Sequence, residues 1–172
     1  MRKERLTAHL LRERDKWELL LNYVGSIRMT IRGVTGAWSV HNIISHVMAR
    51  EEYLADRLAE IAEGRALPAC KTQDELDTFL EEFGYPDFES ASVNEKSADE
   101  WVVNKYKTTA HMDLVEREIH AFDAILAGIK SLSEEQFLQS DLIGLIRKYT
   151  YEHYREHAAE IRRRFKTPLK RS

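Results

Sequence analysis

The sequence predicts an all-α protein, a four-helix bundle whose second and third helices are joined by a long irregular crossover. Three observations carry this. Only 7 Gly and 3 Pro occur in 172 residues, so little in the chain interrupts a helix. Four long segments carry apolar residues at alternating steps of three and four, the period of one helix face. Hydroxyl caps, Ser39 and Ser97, stand ahead of two of them.

In the first segment Leu6, Leu10, Trp17, Leu20, Val24, Ile27 and Ile31 form a stripe interrupted only by Glu13, which predicts a helix of about eight turns. Gly33 and Gly36 end it. Ser39 is then placed to cap a second helix over about Val40 to Glu63, with Trp38 and Ile43 at hydrophobic-staple spacing. That helix buries Val40, Ile43, Val47, Leu54, Leu58 and Ile61, and Gly64 stops it.

Residues 64–96 lose the period: Pro68, Gly84, Pro86 and a run of Ser and Asn make an irregular crossover. Thr72 and Glu75 have capping-box spacing inside it, predicting one short helix closed by Gly84. A third long helix is expected from Ser97, capped with Glu100, through Val103, Tyr106, Ala110, Leu114, Val115, Ile119, Phe122 and Leu126 to Lys130. Ser133 and Gln136 open a turn or two, and a final helix runs from about Asp141 to Phe165. The basic stretch at 166–172 reads as a frayed tail. The whole is expected to be one domain over 1–172.

Charge and cysteine content narrow the partners. With 26 Lys+Arg against 29 Asp+Glu the formal net charge is -3, so no overall field draws nucleic acid or an anionic membrane. The single Cys70 excludes an intramolecular disulfide and reads as an incidental loop thiol. Charges throughout the first twenty residues leave no apolar run of signal-peptide or membrane-span length. A soluble, cytoplasmic protein with no nucleic-acid partner and no membrane is the expectation.

Chemistry concentrates in YTYEHYREHAAEI, residues 149–161. On a wheel of about 100° per residue, with His153 at zero, Leu142 and Ile146 lie within about 20° and His157 at about 40°, so both imidazoles share the buried stripe. Two histidines four apart can reach one ion from successive turns. The spacing alone leaves two readings open: a metal pair, or two polar core residues bonded to water or backbone. His46, seven residues after the Ser39 cap, sits at the edge of its helix's apolar stripe and adds a third nitrogen from a neighbouring helix. Three imidazoles with an open position are the ligand set of a catalytic site rather than a structural one.

The pairing of WSVHNIISH, a W-x7-H motif, with EHYREHAAEI, an H-x3-H motif, resembles the DinB/YfiT-like superfamily of four-helix-bundle metalloenzymes across the length and helix order of the chain. The resemblance implies that His46, His153 and His157 bind a divalent metal, nickel or zinc. It implies a transferase or isomerase using a low-molecular-weight thiol as co-substrate, or a hydrolase, and a possible homodimer. The 64–96 stretch is longer and more irregular than in a minimal member, so the cover of the site is expected to be particular to this chain.

Around that centre, Glu156 at about 60° and Glu160 at about 20° from His153 are candidates for a general base or for holding an imidazole. A solvated carboxylate paired with Arg163 or Arg164 is the alternative. Arg50, Tyr53 and Tyr149 face the same level and are candidates to line a substrate pocket. His41 is expected to be solvent-exposed, and His9, His111 and His120 have no partner at useful spacing. H-x-x-E-H also matches the inverted zinc-peptidase motif. That motif needs a ligand well downstream; only fifteen residues follow His157, and RRRFKTPLKRS offers none. No G-x-G-x-x-G, P-loop or G-x-S-x-G occurs.

Two functions follow. One is a metal-dependent enzyme whose three histidines activate water or a thiol for transfer or hydrolysis of a small electrophilic substrate. The other is a metal-free helical protein that binds a small molecule or dimerises.

Overall fold

The computed structural model describes residues 2–166, so the expectation for the tail after Lys166 lies outside the described residues. The chain is all-helical, in the order α1 (Lys3–Arg28), α2 (Val40–Ala62), α3 (Gln73–Phe83), α4 (Glu95–Tyr106), α5 (His111–Ser131), α6 (Glu134–Leu138), α7 (Leu142–Tyr149) and α8 (Tyr151–Phe165). Helix α2 packs against α5, α4, α7 and α8, while α1 lies against α8 and α5, around one connected cluster of buried side chains. Among the described residues no helix is long and apolar enough to cross a membrane.

The α1 stripe is buried from Leu6 to Val24. It fails beyond that point. Gly25 is non-helical at φ 72°, ψ 162°, so the last turn leaves the stripe's phase and Ile27 is 91% exposed. Arg28 Nε donates to the Val24 carbonyl at 2.8 Å and its Nη2 to the Tyr23 carbonyl at 2.5 Å, restoring acceptors' partners at the break.

Ser39 caps α2 as expected, and Asn42 completes the reciprocal pair: Ser39 N–H donates to Asn42 Oδ1 at 2.9 Å and Asn42 N–H to Ser39 Oγ at 3.2 Å. Helix α2 lies tightly against α5 at Gly128, where an added Cβ would stand 2.9 Å from Leu58 Cβ. In the crossover, Thr72 caps α3 and Gly84 closes it at φ 76°. The irregular stretch is held by buried Asp87, which accepts from Tyr53 OH at 3.0 Å, Cys70 N–H at 2.8 Å and Glu89 N–H at 3.3 Å.

Two expected long helices are each broken. The third is α4 plus α5, with Asn94 rather than Ser97 as its cap: Asn94 Oδ1 accepts from Ser97 N–H at 2.9 Å. At the break, the Tyr106 carbonyl, which in a continuing helix would serve residue 110, takes Thr109 N–H at 3.0 Å and faces His41 Nε2 at 3.3 Å. Thr108 and Thr109 in succession favour this local turn over another helical turn. The new phase buries Glu118 and Ile125 and leaves Ile119 40% exposed. The final helix breaks at buried Thr150 (φ -122°, ψ -107°), whose Oγ1 donates to the Ile146 carbonyl at 2.6 Å, taking the acceptor its own amide would use.

A charged cluster crosses the core. Arg14 Nη2 donates to both Glu118 oxygens at 2.8 and 2.7 Å, and its Nη1 to Glu51 Oε2 and Tyr154 OH at 3.3 Å each. Tyr154 OH donates to Glu51 Oε2 at 2.5 Å. One residue from each of α1, α2, α5 and α8 thus meets at a single point. Glu13, the interruption of the α1 stripe, is also buried, and Arg155 and Lys16 pair with it.

Candidate metal centre

The three histidines singled out by spacing come together between α2 and α8. His153 Nε2 lies 2.9 Å from His46 Nε2 and 3.0 Å from His157 Nε2. The three residues are 5%, 7% and 5% exposed. Their ring centroids are 4.7 to 5.0 Å apart, and Trp38 packs on His46 with centroids 5.0 Å apart.

Why the rings point inward follows from what holds their other nitrogens. Glu160 Oε1 lies 2.6 Å from His157 Nδ1, so Nδ1–H donates to the carboxylate and Nε2 is left as a lone pair. Asp99, from α4, sets its Oδ1 3.3 Å from His46 Nδ1 and 2.7 Å from Arg50 Nη2. Arg50 Nη1 also lies 3.0 Å from that same Nδ1. Asp99 and Arg50 therefore select opposite tautomers of His46: donation to Asp99 frees Nε2 for a ligand, acceptance from Arg50 places the hydrogen on Nε2. His153 Nδ1 is buried with no hydrogen-bond partner among the described residues.

Electrostatics favour neutral rings. Burial, with Arg50 and His157 nearby, pushes His46 down to about 4 despite Asp99. Burial and the neighbouring His46, His157 and Arg50 push His153 well below the ordinary histidine range. Asp99 is raised by burial but lowered more by His46 and Arg50, and ends below the usual carboxylate value.

Neutral rings with Nε2 lone pairs facing one another at about 3 Å repel unless a hydrogen or a cation lies between them. The observed separations fall a little under the roughly 3.3 Å kept by two nitrogens bonded at about 2.0–2.1 Å to one tetrahedral ion. The donor set fits a divalent transition metal.

The other candidate site residues are placed differently. Glu160 holds an imidazole, whereas Glu156 is exposed. Arg50 is buried, its guanidinium 4.3 Å from the Phe88 ring centroid, and is committed to Asp99 and His46. Tyr53 donates to Asp87, and Tyr149 OH to Glu89, so both phenols anchor the crossover, and Tyr53 also borders a cavity of about 430 Å³ with Arg57, Cys70 and Phe79. His41 is a correction to the sequence reading: it is only 6% exposed, because its ring turns in to the Tyr106 carbonyl at the α4–α5 break.

Asp99 is the residue beside the three histidines that sequence reasoning missed. It lies in a segment read as a helix start, 53 positions from His46, and no spacing rule links residues on different helices. No family model matches the chain, and neither a curated protein nor a solved structure matches it.

Proposed function

We propose that this chain is a divalent-metal enzyme of the DinB/YfiT-like kind, a four-helix bundle that uses nickel or zinc on His46, His153 and His157. Its reaction is transfer or hydrolysis of a small electrophilic substrate, with water or a low-molecular-weight thiol as the attacking reagent. The observation that carries the reading is the triangle of buried Nε2 atoms with carboxylates at two of the three Nδ1 positions. The W-x7-H and H-x3-H pairing supports the family assignment.

When bound, the ion supplies Lewis acidity and lowers the pKa of a coordinated water or thiol. The chain's own residues do the rest. Glu160 orients the His157 ring and keeps its Nε2 lone pair inward, and Asp99 does the same for His46 when it, rather than Arg50, partners Nδ1. Burial keeps His46 and His153 neutral, and burial of all three imidazoles limits bulk water around them. Arg50 places a positive charge beside the centre that favours an anionic reagent such as a thiolate.

A homodimer is part of the proposal, supported by Leu19 and Tyr23, which stand four apart and exposed along α1 ahead of the Gly25 break. The enzyme reading is tested by assaying nickel- and zinc-loaded protein for thiol transfer to, and hydrolysis of, small electrophiles. Turnover that needs the metal and disappears in His157→Ala is expected; turnover unchanged in that variant overturns the reading.

A further inference from the structure

His41 and His111 belong to none of the chemistry above. His41 is the second residue of α2 and His111 the first of α5, and their ring centroids lie 6.0 Å apart. His41 Nε2 faces the Tyr106 carbonyl at 3.3 Å. A carbonyl only accepts, so Nε2 carries the hydrogen and His41 Nδ1 is a bare lone pair. That Nδ1 is closed off from solvent and has no hydrogen-bond partner among the described residues. Nδ1 of His111 is closed off in the same way and likewise has no such partner.

A buried ring nitrogen left without a partner costs about 1–3 kcal/mol, and two on neighbouring rings call for a shared occupant. A histidine that gives one N–H to a backbone carbonyl while its other nitrogen is free has the arrangement by which proteins prepare an imidazole for a metal. An ion bonded at about 2.0–2.1 Å to two imidazole nitrogens holds the ring centres roughly 5–6 Å apart, which matches the separation here. His111 also borders a cavity of about 470 Å³ between α1 and α5, together with Met29 and Ile44, which brings solvent to the edge of its ring though not to Nδ1 itself.

We propose that His41 and His111 form a second metal site, independent of the three-histidine centre, which takes a late first-row divalent ion of the zinc and copper class on two imidazole nitrogens with solvent completing the coordination. His41 lies about 140° round α2 from His46 and roughly 7.5 Å along its axis, on a different face. Burial and the nearby His41 lower the pKa of His111, which favours the neutral ring with one nitrogen free as a donor.

The test is equilibrium dialysis of the full chain against zinc(II), with His157→Ala separating the two centres. Wild type should bind two equivalents, His111→Gln one, His157→Ala one, and the double variant none. Because His111 is only partly buried, His111→Gln should keep its helical circular dichroism. Two equivalents retained in His111→Gln, or none in His157→Ala, would overturn the second site whatever the outcome at the first. Ring 15N spectra add a readout that folding does not mimic: zinc must shift His41 Nδ1 in His157→Ala, and an unmoved resonance means that water, not an ion, bridges the pair.

Discussion

The Nε2 atoms of His46 and His153, 107 residues apart in sequence, lie 2.9 Å apart in the core. Two neutral imidazoles make such a contact comfortably with one hydrogen between them. His157 Nε2 adds a third nitrogen 3.0 Å from His153 with its own hydrogen committed to Glu160, and this surplus of lone pairs is what a cation relieves.

The two supporting carboxylates therefore govern affinity. Asp99→Asn and Glu160→Gln should each weaken nickel or zinc binding by about 10–100-fold while leaving one equivalent bindable. Isothermal titration would show this, and an unchanged affinity in both variants would remove the roles assigned to these side chains. Arg50→Met, by deleting the competing donor at His46 Nδ1, should instead tighten binding.

The buried cluster around Arg14 predicts an asymmetry between two glutamates. Burial and the adjacent Glu118 push Glu51 well above its ordinary 4.5, which favours its protonated form, while Glu118 holds Arg14 through both oxygens at 2.8 and 2.7 Å. Glu51→Gln should cost under about 1 kcal/mol, whereas Glu118→Gln leaves a buried cation unpaired and should cost about 3–5 kcal/mol in urea unfolding. The pH dependence has a definite sign. Above pH 4.5 the unfolded chain releases the Glu51 proton that the folded chain retains, so this residue's contribution to stability is present below that pH and declines as pH rises. Glu51→Gln should remove that decline.

Gly128 allows α2 and α5 to approach. Gly128→Ala places a Cβ 2.9 Å from Leu58 Cβ, and the overpacking should cost about 1–3 kcal/mol despite alanine's better helix propensity. Leu58→Ala in the same background should recover part of that cost, as a double-mutant cycle would reveal.

Cys70 should be a slow thiol. Burial and the Asp87 carboxylate push it up to about 11, so alkylation by iodoacetamide at pH 8 should run roughly a hundredfold slower than for an ordinary thiol of pKa about 8.5. The rate should keep climbing through pH 10; a plateau near pH 9 would contradict the assignment.

What was legible in the sequence was local. Ser39, Thr72 and Ser133 read as caps because a cap's partner is three residues away, and His153 and His157 read as one face because both belong to one helix. His46 could be joined to them only through its place beside its own helix's apolar stripe. Features that depend on a distant partner were illegible: Asp99 reaching His46, Arg14 gathering Glu51 and Glu118, and the Tyr106 carbonyl turning to His41. The breaks at Gly25, 107–110 and Thr150 were hidden because the apolar period continues through each while the backbone does not, so Ile27 and Ile119 came out exposed.

The most direct test of the three-nitrogen centre is X-ray absorption at the zinc or nickel edge on His111→Gln protein loaded with one equivalent of metal. Three imidazole nitrogens in the first shell, falling to two with loss of tight binding in His46→Ala, is the predicted result. A first shell with fewer than three imidazoles, or protein that takes up no metal at all, would contradict it.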